Sequence, residues 1–237
     1  MGEDTTVPEQ DLPGTHGRVL LAALALAHGP ITSDTLAEHI WPQDMPPDWA
    51  KSLAPLVSRI RGQLAIADPT GGSTIKVASG YHELVLPSDV WIDLEDATTR
   101  LDRAEGAIRH GDPAAAWTDA APASAILRRP LLPGFDAPWV DQWRSVLGDR
   151  QHRTWIVLAR AWLALGDAAL ARTAAHSAIE LDPYREEGHR QLIRAELAAG
   201  NRAGAVRAAA ACRDLLRDDL GVEPSSETLE LERLALG

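Results

Sequence analysis

Cysteine is nearly absent: Cys212 stands alone in 237 residues. One thiol closes no disulfide within the chain, and so low a usage fits a reducing compartment. Lysine is almost as scarce. Lys51 and Lys76 are the only lysines among 23 basic residues, the rest being arginine, a bias that, with the abundant alanine, reads first as genome composition. Long apolar runs are missing too. The longest, Val19–Ala27, has nine residues, where a bilayer span takes about 20. Met1 is followed by Gly2, Glu3 and Asp4 rather than a basic segment, so no secretory leader is expected. These absences predict a cytoplasmic protein with no membrane partner.

Catalytic and metal signatures are also lacking. The eight histidines form no His-x-x-x-His pair with an acid at useful spacing. Glu186 and His189, three apart on a helix, read as a surface contact. Gly71-Gly72 lacks the strand-to-helix setting and the lysine of a phosphate-cradling loop. No serine, histidine and aspartate set can be nominated, so the chain is read as a non-enzyme with no catalytic residue, metal or cofactor.

What is present is ordinary globular composition, 45% hydrophobic and 24% charged, with a formal charge of -11. A general electrostatic grip on nucleic acid is not expected from that balance. Residues 1–16 carry no periodicity and read as a loose tail. Val19–Ala27 then reads as a helix with Leu20, Leu21, Leu24 and Ala27 inward, stopped by Gly29-Pro30. Ser33 is a candidate N-cap for a second helix, Asp34–Ile40.

A third helix falls within Asp48–Leu64, with Leu53, Leu56, Val57, Ile60 and Leu64 on one face. Ile75–Val77 and Glu83–Leu86 make two short strands joined through Gly80. Three helices and a terminal hairpin compose a winged helix over residues 17–88.

From Asp93 onward no strand is expected. Adding 34 residues carries Gly166 to Gly200, Ala171 to Ala205 and Ala175 to Ala209, the period of a tetratricopeptide repeat. Glycine ends the first helix of each hairpin, and small residues let paired helices approach closely. A weaker unit covers Leu101–Leu127, with Gly111 at the turn and Ala116 and Ala120 in the close-packed positions. Trp155 and Trp162 fit repeat core positions, as does Cys212. Trp91, Trp117, Trp139 and Trp143 read as packing or interface anchors, and Trp49, after Pro46-Pro47, as an exposed loop residue. A last helix, Ser226–Leu236, caps the stack. The fold class is therefore mainly α: a winged helix-turn-helix with a small β-hairpin wing, then an all-α, tetratricopeptide-like domain over residues 89–237.

Several segments carry a resemblance. Leu36-Ala37-Glu38-His39-Ile40-Trp41, Val57-Ser58-Arg59-Ile60-Arg61, Gly80-Tyr81-His82-Glu83-Leu84, Leu132-Pro133-Gly134-Phe135 with Pro138-Trp139, and above all Gly221-Val222-Glu223-Pro224-Ser225 resemble the Streptomyces antibiotic regulatory protein (SARP) family. Members join a winged helix of the response-regulator type to a tetratricopeptide-like bacterial transcriptional activation domain (BTAD). The resemblance implies a transcriptional activator that binds promoter DNA as a dimer and recruits RNA polymerase. Members also begin with a short antiparallel sheet, for which the residues before the first helix are too few.

On that reading Arg59, Arg61 and Lys76 contact phosphate, and Lys51 and Ser58 read bases. Turning about 100° per residue from Leu53, the outward stripe of the third helix is Lys51, Pro55, Ser58 and Gly62, with Arg59 and Arg61 on its flanks. Pro55 is expected to open that helix, because an interior proline costs about 3 kcal/mol. Residues 1–90 hold five cations against eleven acids, a net of -6. That balance keeps open a protein-interaction or signalling module with a degenerate winged helix. A small-molecule sensor using the groove of the repeats is a third reading.

Overall fold

In a computed structural model, which describes residues 11–27 and 29–237, the chain is mainly α-helical with one three-stranded sheet near its N-terminus. It divides into two compact units. The first comprises the described residues up to Val90 together with Leu131–Trp143, and the second Trp91–Pro130 with Arg144–Gly237.

The first unit is built on α1 (Gly14–Leu26), β1 (Ile31–Thr32), α2 (Ser33–Ile40), α3 (Trp49–Ala67), β2 (Thr74–Ala78) and β3 (Tyr81–Val85). Helix α1 starts earlier than its apolar run suggests, taking in Gly14–Gly17, and Leu12 packs against the first core; residues 1–10 of the expected tail lie outside the described residues. Leu20, Leu36, Ile40, Ile60 and Ile75 are fully buried together. Burying each such side chain stabilises by roughly 1.5–3 kcal/mol, which is what fastens α1, α2 and α3 around β2.

Strands β2 and β3 pair antiparallel, Ile75 facing Leu84 and Ala78 facing Tyr81. The two residues between them, Ser79 and Gly80, both have positive φ, 51° and 80°, the backbone of a tight type I′ hairpin. Strand β1 was not expected. It is two residues long and adds to the other edge of β3, in the order β1-β3-β2; so short a strand has no alternation to read.

Three local expectations are corrected. The α2 cap is Thr32, whose side chain accepts from the Thr35 amide at 3.1 Å. Ser33 instead donates its hydroxyl to the Gly80 carbonyl at 3.0 Å. Helix α3 begins at Trp49, leaving Pro55 in its interior. Pro55 is solvent-exposed, while Leu53, Leu56, Val57 and Ile60 form the buried face of the helix on both sides of it. Trp49 is half-buried against the first core rather than exposed in a loop.

The second unit contains α4 (Asp93–Arg109), α5 (Pro113–Leu127), most of α6 (Pro138–Ala164), α7 (Ala168–Leu181), α8 (Glu186–Ala198), α9 (Arg202–Leu215) and α10 (Ser226–Leu236). Helices α4–α5, α6–α7 and α8–α9 are three hairpins whose turns are the same device. Gly111, Gly166 and Gly200 take φ of 75°, 84° and 71°, closing the first helix. The next residue, Asp112, Asp167 or Asn201, accepts with its side chain from an amide three residues on, at 2.9, 2.9 and 3.1 Å, opening the second helix.

Five and nine residues past each glycine lie Ala116 and Ala120, Ala171 and Ala175, Ala205 and Ala209, all buried. Trp155 and Trp162 pack half-buried beside Leu101 and Val157, and Trp117 tilts against Trp162 at 5.5 Å between ring centres. Cys212 is fully buried, and burial pushes its thiol up to about 11. It is a packing residue.

Candidate nucleic-acid interface

Helix α3 presents its buried face to α1 and β2, so its opposite face is solvent-exposed, with Lys51, Pro55, Ser58, Arg59 and Gly62 on it. The proposed base readers differ in freedom. The Lys51 ammonium is paired with Asp48 at 3.0 Å, both side chains largely in solvent. Such a pair is worth little and opens readily. Ser58 is exposed and makes no hydrogen bond among the described residues.

The three proposed phosphate contacts also divide. Arg61 donates Nε to the Ile75 carbonyl at 2.7 Å, bracing α3 to β2. Its acceptor Ile75 directly precedes Lys76 on β2, so these two cations share the seam between helix and wing. Arg59 is about 200° around α3 from Arg61 and belongs to the other flank. Arg59 and Lys76 are both exposed and form no ion pair among the described residues. They are the cations most available to an anionic partner.

Sequence reasoning missed what fixes the wing to α2. His82, buried on β3, shares a 3.0 Å hydrogen bond with the Ser33 hydroxyl through Nε2. That hydroxyl also holds the Gly80 carbonyl, so one serine joins the start of α2 to the hairpin turn. Burial, with Arg61 nearby, lowers the His82 pKa from the ordinary imidazole value. His39 on α2 stacks on Trp139 at 4.8 Å, and Trp139 Nε1 donates to the His39 carbonyl at 3.2 Å. Leu132 and Phe135 join Trp139 against the first core. The signal was available: His39 and Leu132–Trp139 both lie in the segments that carry the family resemblance.

The Gly221–Ser225 segment has a structural use as well. The Glu186 carboxylate accepts from the Ser225 amide at 2.9 Å and from the hydroxyls of Ser225 and Thr228 at 2.7 and 2.5 Å. These donors hold its pKa below the usual range against the opposing effect of burial. His189 is buried and bonds the Pro183 carbonyl at 2.9 Å. Glu186 and His189 are therefore internal latches and not a surface contact; the partners of Glu186 lie 39 and 42 residues on, around the start of α10. Among the described residues no three histidine, cysteine or carboxylate side chains are grouped to hold a metal ion, and no helix is long and apolar enough to cross a membrane.

A winged helix with its wing pinned to α2, followed by three like-turned helical hairpins and a latched terminal helix, is the architecture of SARP-type regulators. The chain belongs to the bacterial transcriptional activator domain family, whose model matches residues 92–236. It is similar to the regulatory protein AfsR of Streptomyces griseus, 27% identical over 223 residues and 92% of this chain, and to that of Streptomyces coelicolor, 29% identical over 235 residues. The chain spans 22% of the length of each of these relatives. Its fold is similar to that of Mycobacterium tuberculosis EmbR, solved in complex with a low-affinity phosphopeptide. The TM-score is 0.84 at 24% identity, over 97% of this chain and 60% of that one. The family is one of transcriptional activators and not an enzyme class.

Proposed function

We propose that this chain regulates transcription in the cytoplasm, setting α3 and the β2–β3 wing against promoter DNA and offering its helical hairpins to a protein partner such as RNA polymerase. A side-by-side pair of chains on direct repeats is part of the proposal. The observation that carries it is the pair of exposed, unpaired cations Arg59 and Lys76 on a recognition helix and wing, in a fold matched along its length to SARP-type proteins. Arg61 stiffens the seam between them. Ser58, and Lys51 once freed from Asp48, supply the base-facing donors.

The test is a gel shift against DNA upstream of the chain's own coding region, at low and moderate salt, with Arg59→Ala/Arg61→Ala as control. Retardation that weakens with salt and with the double substitution supports the reading. Absence of retardation at low salt overturns it.

A second reading is a protein-interaction module whose winged helix has lost DNA binding. Pro55 within α3, the Lys51–Asp48 pair and the net acidity of residues 1–90 favour it. The two readings part on the same gel.

A further inference from the structure

The second unit carries a hollow surface on the hairpins, for which the transcription reading names no partner chemistry. Two adjoining hollows, about 620 and 720 Å³, run along the first helices of the three hairpins, α4, α6 and α8, and share Ile108, Arg160 and Glu187. Their floor is apolar, with Ile108, Ile156, Val157 and Leu163. Six arginines and three glutamates line them, an excess of positive charge within a chain of net -11.

The three acids are already engaged. Glu105 takes both Nε and Nη2 of Arg153 at 2.8 Å. Glu186 is held by Ser225 and Thr228. Glu187 is paired with Arg190 and takes the Gln191 amide. Arg109 and Arg160, by contrast, are exposed and make no ion pair or hydrogen bond among the described residues. The uncompensated charge therefore sits on those two side chains.

Beneath the same surface His152 Nε2 and Gln191 Oε1 are buried without a hydrogen-bond partner among the described residues. Each is a desolvated polar group with an unmet hydrogen bond, which a polypeptide backbone can supply after small side-chain shifts.

We propose that this groove binds an acidic, amphipathic segment of a partner protein, its carboxylates meeting Arg109 and Arg160 and its apolar side chains lying over Ile108, Ile156 and Leu163. An extended peptide alternating acidic and apolar residues presents those two chemistries on opposite sides. The phosphates of a duplex have nothing to place on the apolar floor. The inference rests on the hairpin unit being the partner-binding part of the chain, and it specifies the partner's chemistry.

Fluorescence anisotropy of the full chain with a fluorescein-labelled decapeptide of alternating aspartate and leucine tests it. A lysine-for-aspartate peptide is the control, with ATP and duplex DNA as competitors. Saturable binding of the acidic peptide alone is expected. Arg160→Glu and Arg109→Glu should each weaken it about tenfold or more, because like charges then meet, while Arg207→Glu, on exposed α9 surface, leaves it unchanged.

Arg160 has no partner to lose, so Arg160→Glu should melt with the parent chain by circular dichroism. Binding of both peptides alike, indifference to the two groove substitutions, no binding up to 1 mM (on the order of 4 kcal/mol), or tighter binding of ATP or duplex to the groove would each overturn the inference. The Arg160→Glu chain is also run on the promoter gel. Loss of peptide with DNA retained is the expected result. Peptide binding without any DNA binding would leave this inference standing and overturn the transcription reading.

Discussion

The two units solve the same packing problem with opposite side chains. In the first, large aliphatics (Leu20, Leu36, Ile40, Ile60 and Ile75) fill the space between three helices and a sheet. In the second, alanine at five and nine residues past each turn glycine brings the paired helices together. One core depends on volume filled and the other on volume withheld. The difference teaches where each is fragile. The first fails when atoms are removed, and the second when they are added.

The largest effect should come from Leu36→Ala, which empties a fully buried site and should cost about 2–5 kcal/mol in the first unit. Urea unfolding followed by the two units' tryptophans would show its transition shifted alone; an equal shift in both would break the distinction between cores. Ala175→Leu should cost the second unit about 1–3 kcal/mol by overpacking. Ala169→Leu, on the exposed side of the same helix, should cost almost nothing. Equal effects at Ala169 and Ala175 would contradict the close-approach argument.

Pro55→Ala restores a helix amide on an exposed face, so it should stabilise the first unit by about 1–3 kcal/mol. A destabilisation would mean that the ring sits against something. The smallest effect concerns acid. The folded pKa of His82 lies below the ordinary 6.5 because of burial and Arg61. The unfolded chain therefore binds the proton more readily. The contribution is intact above about pH 6.5 and is lost as pH falls beneath it. Thermal melts from pH 7.5 to 5 should show a smaller acid loss in His82→Gln than in the parent chain.

Much of the architecture was legible because each unit repeats a physical rule. The 3.6-residue spacing of Leu53, Leu56, Val57 and Ile60 marked α3, and the 34-residue step from Gly166 to Gly200 marked two hairpins. The Gly111 hairpin was harder to see because the segment to Gly166 spans 55 residues, including the 27-residue α6. What stayed hidden was whatever joins residues distant in sequence. Ser33 with Gly80 and His82, His39 with Trp139, and Glu186 with Ser225 lie between 39 and 100 residues apart, and no local pattern links them. Pro55 misled for a different reason. The rule against interior proline is local, and the buried face of α3 outweighs it.

The candidate site was legible as residue types and not as availability. Arg59, Arg61 and Lys76 look alike in a sequence. Only the hydrogen bond from Arg61 to the Ile75 carbonyl, and the pairing of Lys51 with Asp48, separate the braced cations from the free ones.

The salt dependence of duplex binding tests that separation most directly. Each phosphate contact removed should reduce the slope of log K against log salt by about 0.9. Arg59→Ala/Lys76→Ala should therefore flatten the slope by about 2, one unit for each cation. A slope unchanged in the double variant would show that α3 and the wing do not meet the phosphates.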